Sequence, residues 1–180
     1  ASRGKRSKKI QESEPKQKNL NEKNARRYFT QLGNLNFGDD PDALHVTSTY
    51  SAKYLPATVE DAEKEVSNFL RRVAYARKKA GLPPLKYILV TAYTTKKNSD
   101  KPVRIHHHII MNGGLDRDTV EALWRKRKRK GQKQGDRIGF CNADRLQADE
   151  NGIVALCTYL VKQSGGKKRW SSSHNLKKPT

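Results

Sequence analysis

The sequence predicts an α+β domain, an antiparallel sheet with flanking helices, and three observations carry that prediction. Alternating or β-branched runs stand at 44–50 (LHVTSTY), 86–95 (KYILVTAYTT) and 103–111 (VRIHHHIIM). The last two are joined by a short polar turn at 96–101, which makes them an antiparallel hairpin. Helical stripes fall between and after the strands rather than alternating with each one, which disfavours a doubly wound parallel sheet.

Taken in order, residues 1–27 are rich in Lys, Gln, Glu, Ser and Asn and nearly free of apolar residues, so they are expected to be a disordered basic tail. Residues 28–43 form an irregular lead-in with turn chemistry at Gly38-Asp39-Asp40-Pro41. Thr58 offers an N-cap for a helix over about 59–80, with Val59, Ala62, Val66, Phe69, Leu70 and Val73 on one face and Gly81 at its end. After the hairpin, Asn112-Gly113-Gly114 breaks the chain. Asp116 caps a second helix that uses Val120, Leu123 and Trp124 and runs on into RKRKRKG. A weak strand is expected at 138–143, then a last helix over about 150–163 whose stripe is Ile153, Leu156, Cys157 and Leu160. The domain is expected over 28–165, with a basic C-terminal tail, 166–180, packing on it or on a nucleic acid.

Bulk properties narrow the function. The 180 residues carry a formal net charge of +20, and its distribution is uneven. Residues 1–27 hold +7, residues 125–137 hold +7 and residues 162–180 hold +6, so the remainder is neutral. A neutral body with three basic segments is the footprint of a polyanion binder. Arg104, the run Arg125, Lys126, Arg127, Lys128, Arg129 and Lys130, and the group Lys167, Lys168, Arg169 and Trp170 are the candidate nucleic-acid contacts, with the indole as a stacking surface or a packing anchor. Two cysteines without a CxxC pattern exclude a disulfide framework and a zinc cage of the usual kind. No GxxxxGK[ST] loop is present, which excludes an ATPase of that class. With no apolar run of membrane-spanning length, the expectation is a soluble, intracellular protein.

Two patterns carry chemistry. In VRIHHHIIM the period of two puts Val103, Ile105, His107, Ile109 and Met111 on one face and Arg104, His106, His108 and Ile110 on the other. The first set faces a core, so His107 points inward. His106 and His108 project together with Cβ atoms roughly 6–7 Å apart, a spacing that suits one divalent ion, against the alternative of a solvated polar face. On the last helix, Tyr159, Lys162 and Gln163 stand at i, i+3 and i+4 and share a face beside the apolar stripe. A phenol beside an ammonium is a plausible nucleophile pair, or else a tyrosine at the core edge beside a solvated lysine.

The ordered set LHVTSTY, IHHHII and YLVKQ resembles the HUH endonuclease superfamily, in which two histidines flank one residue on a strand and a tyrosine follows on a helix. It looks most like the single-tyrosine rolling-circle replication initiators of phages and mobile elements, and the tail RWSSSHNLKKP is similar to the phage type. The resemblance runs from about Asn36-Phe37 to the end. It implies a palm-like sheet of the ferredoxin or RRM kind holding Mg²⁺ or Mn²⁺ at His106 and His108. It further implies Tyr159 as the nucleophile that becomes joined to a 5′ phosphate, with Lys162 as its companion. The implied substrate is a single-stranded or hairpin DNA origin. The implied setting is the cytoplasm of a bacterial host, with a host helicase and polymerase as partners and a monomer as the working unit.

The resemblance also implies a third ligand, often acidic, near Ala92 on the strand before the histidines. Alanine cannot ligate. Gln163 could supply the missing oxygen, His45 or a nearby Asp could serve, or the substitution weakens metal binding. Two other functions stay open at this point. A single-tyrosine transposase also fits YLVKQ, although such enzymes are usually obligate dimers. A non-catalytic nucleic-acid-binding module would present aromatic stacking platforms where this face presents histidines.

Overall fold

In a computed structural model of the chain, the described residues are 15–95, 97–98, 102–146, 153–154, 156–157 and 170–180. They form a five-stranded sheet in the order β4-β1-β3-β2-β5, antiparallel at every pairing, with helices against both faces. The strands are β1 (Leu44–Thr49), β2 (Tyr87–Thr95), β3 (Pro102–Met111), β4 (Cys141–Arg145) and β5 (Trp170–Ser172). The helices are α1 (Pro15–Phe37), α2 (Val59–Lys79) and α3 (Arg117–Ala122). The α+β class expected from the strand and helix patterns is the class observed.

Each sheet face packs its own core. On one face Leu44 and Val46 of β1, Leu89 of β2 and Ile109 and Met111 of β3 meet Val66, Phe69, Leu70 and Val73 of α2. Trp124 is buried among them, with edge contacts to Phe69 and Tyr50. Helix α2 begins as its sequence requires, with the Thr58 side chain accepting the Asp61 N–H at 3.1 Å. It ends at Gly81, whose φ of +71° is the left-handed position that favours glycine. Arg77, 2% exposed, donates from this helix end to the carbonyls of Pro83, Asn112 and Gly113. It thereby ties α2 to the turn that closes the hairpin.

The opposite face is also covered. Phe29, Leu32 and Phe37 of α1, with Ile153, Leu156 and Cys157, pack on Ile88, Val90 and Ile110. Helix α1 corrects two expectations: the disordered tail over 1–27 and the irregular lead-in over 28–43. The chain is helical from Pro15 to Phe37, and residues 1–14 lie outside the described residues. The physical reason is the spacing of Phe29, Leu32, Gly33, Asn36 and Phe37, a stripe at i, i+3, i+4, i+7 and i+8 that binds the lower half of the helix to the sheet. The upper half is largely exposed and polar, and that composition masks the stripe.

Three further boundaries differ. The second helix stops at Ala122 with Leu123 as its C-cap and does not run into the basic stretch. The weak strand expected over 138–143 is β4, Cys141–Arg145. The C-terminal tail contributes β5, which pairs with β2 from Ile88↔Ser172 to Val90↔Trp170, so the sheet extends past residue 165. Asn36 fastens this tail by accepting from Lys177 N–H at 2.7 Å and donating to its carbonyl at 2.8 Å.

Candidate nucleic-acid and metal site

The site is built on β3. Register pairs β1 to β3 without interruption from Leu44↔Met111 to Thr49↔His106. Residues directly across an antiparallel ladder share a face, so His106, His108, His45, Thr47 and Thr49 project together. His107 points the other way with Ser48, as its parity requires. It is fully buried. Its Nε2 lies 2.7 Å from the Tyr50 hydroxyl and its Nδ1 2.9 Å from Thr91 Oγ1. Burial and the neighbouring His106 and His108 push its pKa down to about 3. It is a neutral core residue that locks β3 to β2 and β1. Burial raises the pKa of Tyr50, which removes it as a nucleophile.

Both histidines of the outer pair are held through Nδ1. The His106 Nδ1–H donates to the Arg104 carbonyl at 2.8 Å. A carbonyl only accepts, so this bond fixes the tautomer with the lone pair on Nε2. His108 Nδ1 lies 3.0 Å from His45 Nε2. Ligation through Nε2 of both rings leaves these bonds in place. The ring centroids of His106 and His108 are 5.1 Å apart and those of His45 and His108 5.2 Å apart. His108 is nearly buried, and burial with His45 and His106 beside it lowers its pKa to about 3, so the ring is neutral at physiological pH. Burial also lowers the pKa of His45, against the opposing pull of Asp144, its neighbour across β4.

The backbone at Arg104 makes this possible. Arg104 has φ of +55°, unusual for a side-chain-bearing residue, at the point where β2–β3 pairing shifts between Ala92 and Thr94. This bulge turns the Arg104 carbonyl toward His106 and leaves the guanidinium side exposed.

Ala92 lies directly opposite His106 and is buried, so the position where an acidic donor was expected is adjacent to the first histidine. Among the described residues, no group of three or more His, Cys, Asp or Glu is arranged to hold a metal ion. The two imidazoles fit a divalent cation in donor type and orientation, but as an incomplete set. Tyr159, Lys162 and Gln163 lie outside the described residues, as do Lys167, Lys168 and Arg169. Ile153, Leu156 and Cys157, which precede Tyr159, pack on the face that carries His106 and His108. Trp170 pairs across from Val90 and packs edge-on to Phe29 at 5.9 Å, so it anchors the tail to α1.

The basic segment 125–137 is not the helical arm expected from its sequence. It is a closed loop, bridged at Arg125↔Arg137, with Lys126 N–H donating to the Asp136 carbonyl at 2.8 Å. Gly135 does not loosen it: a Cβ there would lie 1.6 Å from the Lys126 carbonyl oxygen, so only glycine allows the two strands of the loop to close. Asp136 is the centre, accepting from Tyr54, Lys53, Arg129 and Gln132. Lys126 pairs with Glu65 of α2. Arg127, Lys128 and Lys130 remain exposed. Sequence reasoning missed Asp136, although a lone acid among eight bases was the available signal.

The Tyr54 hydroxyl, then the Gln132 and Lys53 bonds, hold the Asp136 carboxyl down at about 2. A depressed carboxylate stabilises at full strength above its ordinary pKa and loses that contribution only as pH falls through the folded value. Loop closure through Asp136 is therefore expected to persist through neutral and mildly acid pH. Asp136→Asn is expected to open the loop at pH 7, seen as severalfold faster trypsin cleavage within 125–137 with the rest of the chain intact.

A family model described as replication-associated protein, ORF2/gene II protein type, matches residues 43–164, from the residue before β1 through the segment that contains Tyr159 and Lys162. The chain belongs to this replication-associated protein family. No curated protein and no solved structure matches it. Membership places this replication-associated protein in DNA replication. The matched span includes the histidine strand and the basic loop, whereas α1 and β5 lie outside it and surround the family region with an outer helix and a tail strand. No helix among the described residues of this replication-associated protein is long and apolar enough to cross a membrane.

Proposed function

We propose that this chain is an HUH-type endonuclease: a metal-dependent enzyme that nicks a single-stranded DNA origin through a 5′-phosphotyrosine and so starts rolling-circle replication. The observation that carries the reading is the pairing of His106 and His108 on one face, each tied through Nδ1. The apolar residues just before Tyr159 pack on that same face. Tyr159 follows Cys157 by two residues, so its Cα lies within about 7 Å of that of Cys157. The phenol thus starts from a point that packs beside the histidine strand.

His106 and His108 would hold Mg²⁺ or Mn²⁺, with Gln163 as the further oxygen donor; when bound, the ion supplies charge neutralisation at the scissile phosphate. Lys162 favours the phenolate of Tyr159 and holds a phosphate oxygen. A bond forms from the Tyr159 oxygen to phosphorus as the bond from phosphorus to the 3′ oxygen breaks. The phenolic proton is lost, the 3′ oxygen departs as a hydroxyl, and the 5′ phosphate stays on the protein. Exposed Arg127, Lys128 and Lys130 contact the DNA backbone, making affinity fall steeply with salt. The test is incubation with a labelled single-stranded origin oligonucleotide and Mn²⁺. A denaturant-stable protein–DNA adduct that requires the metal supports the proposal, and metal-independent or absent adduct overturns it.

A binding-only reading has one observation in its favour, the alanine opposite His106. Ala92→Glu separates the two. The variant is expected to bind Mn²⁺ about 10–100-fold more tightly, the factor that corresponds to about 1.5–3 kcal/mol for a bond to a charged group. The same carboxylate, buried without a cation, is expected to destabilise the metal-free protein. Calorimetric titration with Mn²⁺ reads the first effect and thermal melting with and without metal the second. Unchanged metal affinity would place the cation elsewhere.

A further inference from the structure

We infer that Phe140 is the stacking subsite for a DNA base next to the strand-breaking centre. This rests on the single-stranded DNA reading above and assigns one base contact within it. Phe140 is 79% exposed, the most exposed large apolar side chain among the described residues. The other large apolar side chains on its sheet face, Val90, Ile88 and Ile110, are buried in the core beneath α1.

Its position follows from register. Asn142 pairs with Thr47 and Asp144 with His45, so these residues of β4 share the histidine face, while Cys141 and Ala143 point to the α2 core. Phe140, two residues before Asn142, continues the histidine side opposite Thr49. Thr49 in turn stands opposite His106. The separation from Phe140 to His106 is therefore two strand spacings, about 10 Å. A base stacked there belongs to a nucleotide close along the chain to a phosphate held at the histidines.

The backbone that presents the ring is fixed. Thr49 N–H donates to the Phe140 carbonyl at 2.8 Å, and Phe140 N–H donates to Thr49 Oγ1 at 3.2 Å. Gly139 allows the approach, since a Cβ there would lie 2.2 Å from the Thr49 carbonyl oxygen. Arg137 and Arg104 are both exposed, one three residues before the phenyl ring and the other two residues before His106. A pre-positioned aromatic face between cations, beside a candidate phosphate site, is the arrangement that captures a splayed base irrespective of its identity.

The experiment measures anisotropy of a fluorescein-labelled oligothymidylate without metal, so strand cleavage does not enter. Phe140→Ala is expected to weaken binding about 5–100-fold and Phe140→Trp to retain it. The same sugar–phosphate chain carrying abasic sites should bind the parent and Phe140→Ala alike. Equal affinity of parent and Phe140→Ala for oligothymidylate overturns the inference, as does an equal loss on the abasic strand. Should no tyrosine adduct form while the base-dependent loss persists, the nuclease reading fails and the stacking subsite stands.

Discussion

Tyr159→Phe is expected to abolish the covalent protein–DNA adduct completely while leaving single-strand affinity within about threefold of the parent, because only the nucleophilic oxygen is removed. Phenylalanine keeps the ring and its packing. No described tyrosine is placed to substitute. Tyr50 is buried against Trp124 and His107, and its pKa is raised by burial. Tyr54 is committed to Asp136. Tyr28 lies on α1 against Trp170. Because the 5′ phosphate stays on the protein, the label belongs on the 3′ end of the oligonucleotide, and a denaturing gel reads the shifted band. An adduct that persists in the variant would assign the attack to another residue and remove the final helix from the mechanism.

Trp124→Ala is expected to cost about 3–5 kcal/mol, the range for removing a large buried aromatic. In a chain of this length that lowers the melting midpoint by about 6–20 °C. The indole is 1% exposed and sits among Phe69, Tyr50 and His107, and its N–H donates to the Thr49 carbonyl at 2.8 Å. Truncation leaves both a cavity and a carbonyl deprived of its donor. Trp124→Phe keeps most of the apolar contact and loses only the bond, so its cost should be clearly smaller. Thr49 stands opposite His106, so the alanine variant should also loosen the histidine strand. Thermal melting of the two variants checks the order, and equal midpoints would mean that the indole N–H, not ring packing, carries the stability.

The central strands and α2 were legible because their patterns are local. Parity alone separated His107 from His106 and His108, and Thr58 and Gly81 marked both ends of α2. Helix α1 was hidden because its stripe begins only at Phe29, after a polar first half whose composition argues for disorder. Strand β5 was hidden because Trp170–Ser172 is too short to show periodicity and exists through its pairing with β2. The basic loop was misjudged for a third reason. A run of Lys and Arg has good helix propensity, and only tertiary bonds to Asp136 and the close approach at Gly135 decide against a helix. In the candidate site, the alanine near the first histidine is visible in the sequence, whereas the Arg104 carbonyl and Phe140 depend on backbone geometry and register that no spacing rule reveals.

The irregularity at Arg104 separates the histidines from their own hairpin turn. A slip of one residue in a ladder would send every side chain to the wrong side of the sheet. Here the ladder that aligns His106 and His108 runs unbroken along β1, an interior strand, while the ladder toward the turn is already offset at Ala92/Thr94. Alignment of the reactive pair is thus inherited from the middle of the sheet. The connection between β2 and β3 is left as a place where length and composition can drift across generations without disturbing the chemistry.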